Sequence, residues 1–115
     1  MHHKDLEAWK QSIELVTLIY KETKNLPDDE KFGLVSQMRR SVISIPSNIA
    51  EGCGRQSGKD TLRFIDIALG SLAELETQII ICEKLQYLNN PASYELINKV
   101  YALIIGLRKH LVKIL

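Results

Sequence analysis

Apolar residues recur at three- and four-residue steps in four segments of the chain, the spacing of one face of an α-helix. The first segment runs from about Asp5, its expected N-cap, to Lys24, and Pro27 stops it. Its apolar stripe consists of Leu6, Trp9, Ile13, Val16 and Tyr20. The pattern predicts a first amphipathic helix.

The second segment begins at three acids, residues 28–30, which suit the positive end of a helix dipole. Its stripe consists of Val35, Met38, Val42, Ile45 and Ile49. Pro46 lies inside this pattern, and a proline inside a helix costs about 3 kcal/mol because it removes a backbone donor. Since the stripe keeps its phase, we predict one helix that is kinked at Pro46 and ended by Gly52 and Gly54.

The third segment opens after Ser57 or Gly58 and extends to about Leu88. Its stripe consists of Ile65, Ala68, Leu72, Leu75, Ile79 and Cys82. Gly70 lies in the middle of this helix, where it costs about 1 kcal/mol relative to alanine. We expect its small size to let a neighbouring helix approach closely.

The fourth segment follows the turn at residues 89–91 and covers about Ala92 to Leu115. Its stripe consists of Leu96, Val100, Leu103, Leu107, Leu111 and Ile114. Short connections make consecutive helices antiparallel neighbours. The predicted fold is therefore all-α: a single domain over residues 1–115, built as an antiparallel up-down-up-down four-helix bundle with its second helix kinked at Pro46.

The third and fourth segments also carry apolar residues outside their stripes. These are Phe64, Ile67, Leu69, Ile80, Ile81, Ile97, Ile104 and Ile105. A helix that is apolar on more than one side needs a second partner. We therefore expect a homo-oligomer.

Composition narrows the functional classes only slightly. The chain is 45% hydrophobic and 25% charged, which excludes a disordered protein, and its formal charge is +1. That balance gives no overall attraction to nucleic acid or to an anionic membrane. Neither a membrane span nor a signal peptide is expected, and two cysteines are too few for a disulfide framework. The expectation is a cytoplasmic protein. His2 and His3 could be native or added, and no functional prediction rests on them.

Residues for catalysis are sparse. His110 is the one interior histidine, Cys82 belongs to the third stripe, and Cys53 has no histidine near it in the sequence. Glu74 and Glu76 are two residues apart and cannot share a helix face. We expect no catalytic residue, metal site, cofactor or small-molecule substrate.

Polar residues also fall on or beside the stripes of the second and third segments. These are Gln37, Arg40, Ser44, Asn48, Glu51, Ser71 and Glu74. Some are solvent-exposed under the simplest interpretation. The alternative, which we favour, is structural pairing within the bundle or between subunits, because buried polar groups require partners. The candidates are Asn48 and a pair from Arg40 to Glu51 or Glu74.

Cations are concentrated between residues 31 and 63. Five of them form the candidate nucleic-acid-binding set, namely Arg39, Arg40, Arg55, Lys59 and Arg63. The last three step by four and would share one helix face. They are either a solvated helix start or a patch that contacts phosphates. We see no aromatic residue interleaved for base stacking, so binding would be electrostatic and shape-driven.

Three blocks of the chain stand out, namely DLEAW at residues 5–9, GLVSQMRRSVISIPSNIAEG at residues 33–52 and RFIDIALGSLAELE at residues 63–76. They resemble the 23S rRNA intervening-sequence proteins, also called S23-like four-helix-bundle proteins, and the resemblance extends over essentially the whole chain. The resemblance implies a bundle that assembles as a ring, a pentamer. It also implies a fold similar to the accessory variability determinant proteins of diversity-generating retroelements, whose basic barrels bind nucleic acid.

Within the resemblance, Arg39, Arg40 and Arg55 match basic positions of the family pattern. The leading hypothesis is a non-catalytic oligomer that binds structured RNA or DNA, with rRNA as the first candidate. The alternative is a protein–protein interaction or scaffolding module that docks another protein and binds no nucleic acid.

Overall fold

The chain folds into four α-helices without any β-strand, in a computed structural model that describes all residues 1–115. The helices are α1 (Glu7–Thr23), α2 (Leu34–Cys53), α3 (Gly58–Lys84) and α4 (Ser93–Ile114). Helices α1 and α3 each pack against both α2 and α4, and the molecule measures 45 × 23 × 20 Å. The predicted all-α class is confirmed.

The two predicted central stripes form the interface between α2 and α3. All six residues of the α3 stripe are buried, as are the last four of the α2 stripe, while Val35 is half-buried. Contacts between the helices pair Met38 with Cys82, Ser44 with Ser71, and Gly52 with Thr61. Both stripes are therefore confirmed as the contact faces of α2 and α3, the pair of helices with the most extensive packing in the molecule.

The stripes predicted for α1 and α4 are displaced from the true centre of the core. In α1 the buried residues are Ala8, Ser12, Leu15, Ile19 and Thr23. In α4 they are Ser93, Ile97, Val100, Ile104 and Leu111. Partly buried residues of the predicted stripes, such as Trp9, Val16 and Leu103, flank these positions, so the apolar arc of each helix is broader than one stripe.

Two residues assigned to a second apolar side, Ile97 and Ile104, therefore belong to the core, and Ile114 of the predicted stripe is exposed. Ile67, Ile80 and Ile81 are exposed as expected, whereas Phe64, Leu69 and Ile105 are half-buried. The apolar surface available to a partner is consequently smaller on α4 than predicted.

Three helix boundaries differ from the predictions. Asp5 lies in a 3-10 turn, His3–Asp5, and α1 begins after Leu6 without a side-chain cap. The acids of Asp28–Glu30 form their own 3-10 turn ahead of α2. Helix α3 ends early because Gln86 adopts φ 64°, which lets the backbone N–H groups of residues 87 and 88 bond to the Cys82 carbonyl.

Helix α2 continues through Pro46, which is buried. The predicted close helix approach at Gly70 is wrong, because a Cβ placed there would meet nothing within 4 Å. The close helix approach occurs instead at Gly52, described below. None of the four helices combines the length and hydrophobicity needed to cross a membrane.

Candidate nucleic-acid interface

The connection between α2 and α3 is held by hydrogen bonds from the start of α3. The Thr61 hydroxyl donates to the Gly52 carbonyl at 2.8 Å, and Ser57 Oγ caps α3 by accepting from the Asp60 N–H at 3.1 Å. A Cβ at Gly52 would lie 3.0 Å from the Phe64 Cβ and 3.1 Å from the Thr61 carbonyl oxygen. The helices therefore meet closely here because residue 52 has no side chain.

Two arginines converge on one aromatic ring at this connection. The Cζ atoms of Arg55 and Arg63 each lie 4.7 Å from the centre of the Phe64 ring. Exposed cation–π contacts of this kind contribute about 0.5–1 kcal/mol each. We name Arg55, Arg63, Phe64 and the neighbouring Lys59 the connection cluster.

Phe64 is the residue that the sequence interpretation missed. No aromatic residue was expected among these cations, and the structure corrects that prediction, because the turn after α2 brings Arg55 back to a ring nine positions later. The signal in the sequence was the adjacency of Phe64 and Arg63 at a helix start. Base stacking on this ring would compete with two guanidinium groups.

Carboxylates partly neutralise the connection cluster. Arg55 Nη2 lies 2.9 Å from Glu51 Oε1, and Arg63 Nε lies 3.7 Å from Asp60 Oδ1. Lys59 is exposed and takes part in no ion pair. Three cations thus face two carboxylates, and the surplus positive charge is carried by Lys59.

Arg39 is placed elsewhere and is engaged within the chain. Its Nε donates to Thr23 Oγ1 at 3.1 Å, its Nη2 donates to the Tyr20 carbonyl at 3.4 Å, and its guanidinium lies 4.4 Å from the Tyr20 ring centre. These contacts join the start of α2 to the end of α1. Arg39 lies 14 residues before Cys53, the end of α2, a distance of about 21 Å at 1.5 Å per residue, so the structure does not gather all five predicted cations into one site.

Arg40 is exposed and forms no ion pair within the chain. Neither of its two predicted partners, Glu51 and Glu74, is bonded to it. It lines a polar groove of about 290 Å³ together with Gln37, Glu74 and Gln78. Gln78 is 6% exposed, and its buried Oε1 has no hydrogen-bond partner. The partner of Glu51 is Arg55, so the Arg40 pair is not formed inside a single chain.

Among the other predicted polar residues, Ser44, Ser71 and Glu74 take part in bonds between α2 and α3, and Asn48 bonds to Ser44 within α2. Asn48 Nδ2 donates to both the Ser44 carbonyl and Ser44 Oγ at 2.8 Å, and Ser44 Oγ lies 2.8 Å from Ser71 Oγ. The Ser41 hydroxyl donates to Glu74. This polar row crosses the interface between the two helices and satisfies groups that lie beside the apolar stripe.

The thiols are not activated. Burial raises the pKa of Cys82 to about 11, with the charge of Glu30 as a smaller cause, and its Sγ lies 3.6 Å from the Met38 sulfur. Burial likewise raises the pKa of Cys53, although the N-terminal amino group acts in the opposite direction. His110 is exposed on α4. A low-pKa nucleophile is therefore not present at either cysteine.

Known proteins share this architecture and much of this sequence pattern. A crystal structure of a protein with unknown function from the S23 ribosomal protein family of Bacteroides thetaiotaomicron VPI-5482 is similar, with a TM-score of 0.66 and 25% identity over 93% of this chain and 96% of that chain. No curated protein matches the sequence. The profile of the 23S rRNA-intervening sequence proteins matches residues 4–109. The chain therefore belongs to the 23S rRNA-intervening sequence protein family.

Proposed function

We propose that this protein is a non-catalytic subunit of a homo-oligomer that binds structured RNA or DNA through Arg55, Lys59 and Arg63. The observation that carries the proposal is the stacking of Arg55 and Arg63 on Phe64 at the α2–α3 connection. Membership in a family named for sequences that interrupt 23S rRNA supports rRNA as the first nucleic acid to test.

The two arginines of the connection cluster can bind phosphate although each is paired with a carboxylate. A guanidinium that lies over an aromatic ring is fixed in position, yet the N–H groups at its edge still point outward to acceptors. The ion pairs to Glu51 and Asp60 are exposed, and exposed pairs contribute only about 0–1 kcal/mol. A phosphate group can therefore displace either carboxylate at little cost.

Oligomerisation supplies the affinity that one cluster lacks. The chain has a net charge of only +1, so a single copy attracts a polyanion weakly. In a ring of five copies, as the family resemblance implies, the same cluster repeats and binds with avidity when the nucleic acid spans several copies. Light scattering should give a mass about five times that of the 13.1 kDa chain. A monomer at micromolar concentration would refute the assembly.

A gel-shift titration at low salt with 23S rRNA fragments tests binding. Replacing Arg55, Lys59 and Arg63 together by glutamine should weaken binding and flatten its salt dependence, because fewer counterions are released. The matched control replaces Lys99, Lys109 and Lys113, which are exposed on α4, and changes the charge equally. The proposal fails if wild type shows no shift below about 100 μM, or if both triple variants bind alike.

The finer architecture is part of the proposal. Contacts that pair residue 38 with 82 and residue 61 with 52 support opposite directions for α2 and α3, and those that pair Asp66 with Arg108 and Glu83 with Tyr94 support the same for α3 and α4. We propose the up-down-up-down arrangement with α2 kinked at Pro46. An experimental structure whose α2 axis is straight through Pro46 would remove the kink.

A protein partner is the second candidate function. It is favoured by Ile67, Ile80 and Ile81, which lie exposed on α3 at 41–44% of their surface. A docking module should co-purify with a protein in a salt-insensitive manner. It should also show the absorbance ratio of pure protein at 260 and 280 nm, whereas bound RNA raises that ratio.

A further inference from the structure

Phe32 is the most exposed large hydrophobic residue of the chain, at 89% of its surface. It lies in the connection between α1 and α2, directly before Gly33 and the first turn of α2. The Lys31 ammonium lies 5.6 Å from the centre of its ring, so a cation accompanies the ring. Nothing within the chain covers Phe32, which makes it a projecting apolar group that only another molecule can bury.

An apolar groove of about 240 Å³ lies on a different surface, between α3 and α4. Its walls are formed mainly by Leu69, Leu72, Ala73, Ile97 and Tyr101. Tyr101 is 53% exposed and leaves this wall open to solvent. The one charged residue in the lining is Glu76.

We infer that Phe32 of one copy enters the α3–α4 groove of a second copy, where Lys31 meets Glu76. This inference rests on the self-association in the proposed function and specifies the surfaces that make it. The groove has the apolar lining that an aromatic ring requires, and its carboxylate complements the lysine beside that ring. Lys31 and Glu76 form no ion pair within the chain and are both free for this contact.

Three carboxylates, at residues 28–30, precede Lys31 in the same connection. The Glu30 carboxylate is hydrogen-bonded within its own chain, where it accepts from the Tyr87 hydroxyl at 3.2 Å and from the Leu34 N–H at 3.4 Å. Asp28 and Asp29 lie earlier, in the 3-10 turn, and are exposed. Lys31 is therefore the charge adjacent to the ring.

A second apolar groove, between α1 and α2, fits this occupant less well. It has a volume of about 360 Å³, and Trp9, Ile13, Ile43 and Pro46 are among its lining residues. It contains no carboxylate, so it offers Lys31 no partner. Of the two apolar grooves, the one between α3 and α4 is the one that offers Lys31 a carboxylate.

The contact is head-to-tail, because the projecting residue and the groove lie on different surfaces of each copy. Repeating such a contact gives a closed ring when the rotation closes. It also has a property that a symmetric two-fold contact lacks: each half can be destroyed separately.

The test uses one variant for each half. Phe32→Ser removes the projecting ring and keeps the groove, whereas Ala73→Arg blocks the groove and keeps the ring. Each variant alone should show the mass of a monomer by light scattering. An equimolar mixture should form a species of two chains, because one intact contact remains and neither free end can add a third copy.

The control is Ile43→Ser, an apolar-to-serine change in the α1–α2 groove, which should keep the wild-type mass. Both tested positions are exposed, so the folded state is retained and circular dichroism verifies it. A charge exchange, Lys31→Glu with Glu76→Lys, should restore an assembly that either change alone weakens.

The possible failures are distinguishable. If wild type is an oligomer and both single variants keep its mass, the inference is overturned while the proposed assembly stands. If the two variants stay monomeric on mixing, the head-to-tail contact is overturned. If wild type itself is monomeric, the assembly and this inference fail together, and nucleic-acid binding is judged by the gel shift alone.

Discussion

The Tyr94 hydroxyl donates a 2.6 Å hydrogen bond to Glu83 Oε1 and so joins the first turn of α4 to the end of α3. The other carboxylate oxygen accepts from the Asn90 N–H at 2.9 Å. These two bonds, that from Tyr94 first, lower the pKa of Glu83. Burial, followed by the bond to Glu83 and its charge, raises the pKa of Tyr94 to about 12.

This pair predicts a pH dependence of stability. Glu83 has a lower pKa folded than unfolded, so its contribution is complete at neutral pH and is lost as pH falls through the folded value, below 4.5. Tyr94 has a raised pKa, so its contribution holds below the unfolded value near 10 and is lost as pH rises through about 12. Tyr94→Phe should remove the effect of Tyr94 and reduce that of Glu83, because the bond from the Asn90 N–H remains.

Urea denaturation measures the change, and NMR titration of the Glu83 carboxyl follows its pKa, which should rise in Tyr94→Phe. Tyr101→Phe is the matched control, because the Tyr101 hydroxyl makes no hydrogen bond within the chain and is exposed. An unchanged Glu83 titration in Tyr94→Phe would contradict the role of this bond.

Two glycines should respond oppositely to alanine. Gly52→Ala inserts a methyl group 3.0 Å from the Phe64 Cβ and should destabilise the protein by about 1–3 kcal/mol, because α2 and α3 must move apart. Gly70→Ala meets open space and should stabilise it by up to about 1 kcal/mol through helix propensity. Thermal or urea unfolding of both variants checks the pair. Equal effects would show that the close approach at Gly52 is not a packing constraint.

Arg39 should act on stability more than on nucleic-acid binding. Arg39→Met removes its bonds to Thr23 and Tyr20 and the stacking on the Tyr20 ring, and we expect a loss of about 1–2 kcal/mol. Arg40→Met is the control, since Arg40 makes no such contacts in the chain. Urea denaturation measures stability, and the gel shift measures binding. Unchanged stability with weakened binding in Arg39→Met would reverse this assignment.

The two thiols should differ in reactivity. With a pKa of about 11, Cys82 has roughly one thiolate in a thousand at pH 8, and it is buried, so Ellman's reagent should reach it only after unfolding. Cys53 is half-buried and should react first, more slowly than free cysteine. The time course of labelling in wild type and in Cys53→Ser shows which thiol reacts first. Rapid labelling of native Cys53→Ser would contradict the buried position of Cys82.

The candidate site was only partly predictable from the sequence. The four-residue steps of Arg55, Lys59 and Arg63 indicated a shared face, but Arg55 lies before α3 begins and reaches Phe64 through the turn. Arg39 and Arg40 are adjacent in the sequence, yet one is bonded to α1 and the other faces a polar groove with α3. Consecutive side chains on a helix point in different directions. The residue that each one contacts therefore depends on which other helix lies on that side.

Hydrophobic periodicity by itself determined the helices, their number and the α2 and α3 stripes, because a 3.6-residue repeat is a local property of the chain. Only the tertiary structure decided which edge of the broad arcs of α1 and α4 faces the core, that Gly52 and not Gly70 permits close packing, and that Phe64 joins two arginines. Those outcomes depend on how helices are placed around one another. That placement is set by the fit of side chains from distant parts of the chain, which no local pattern records.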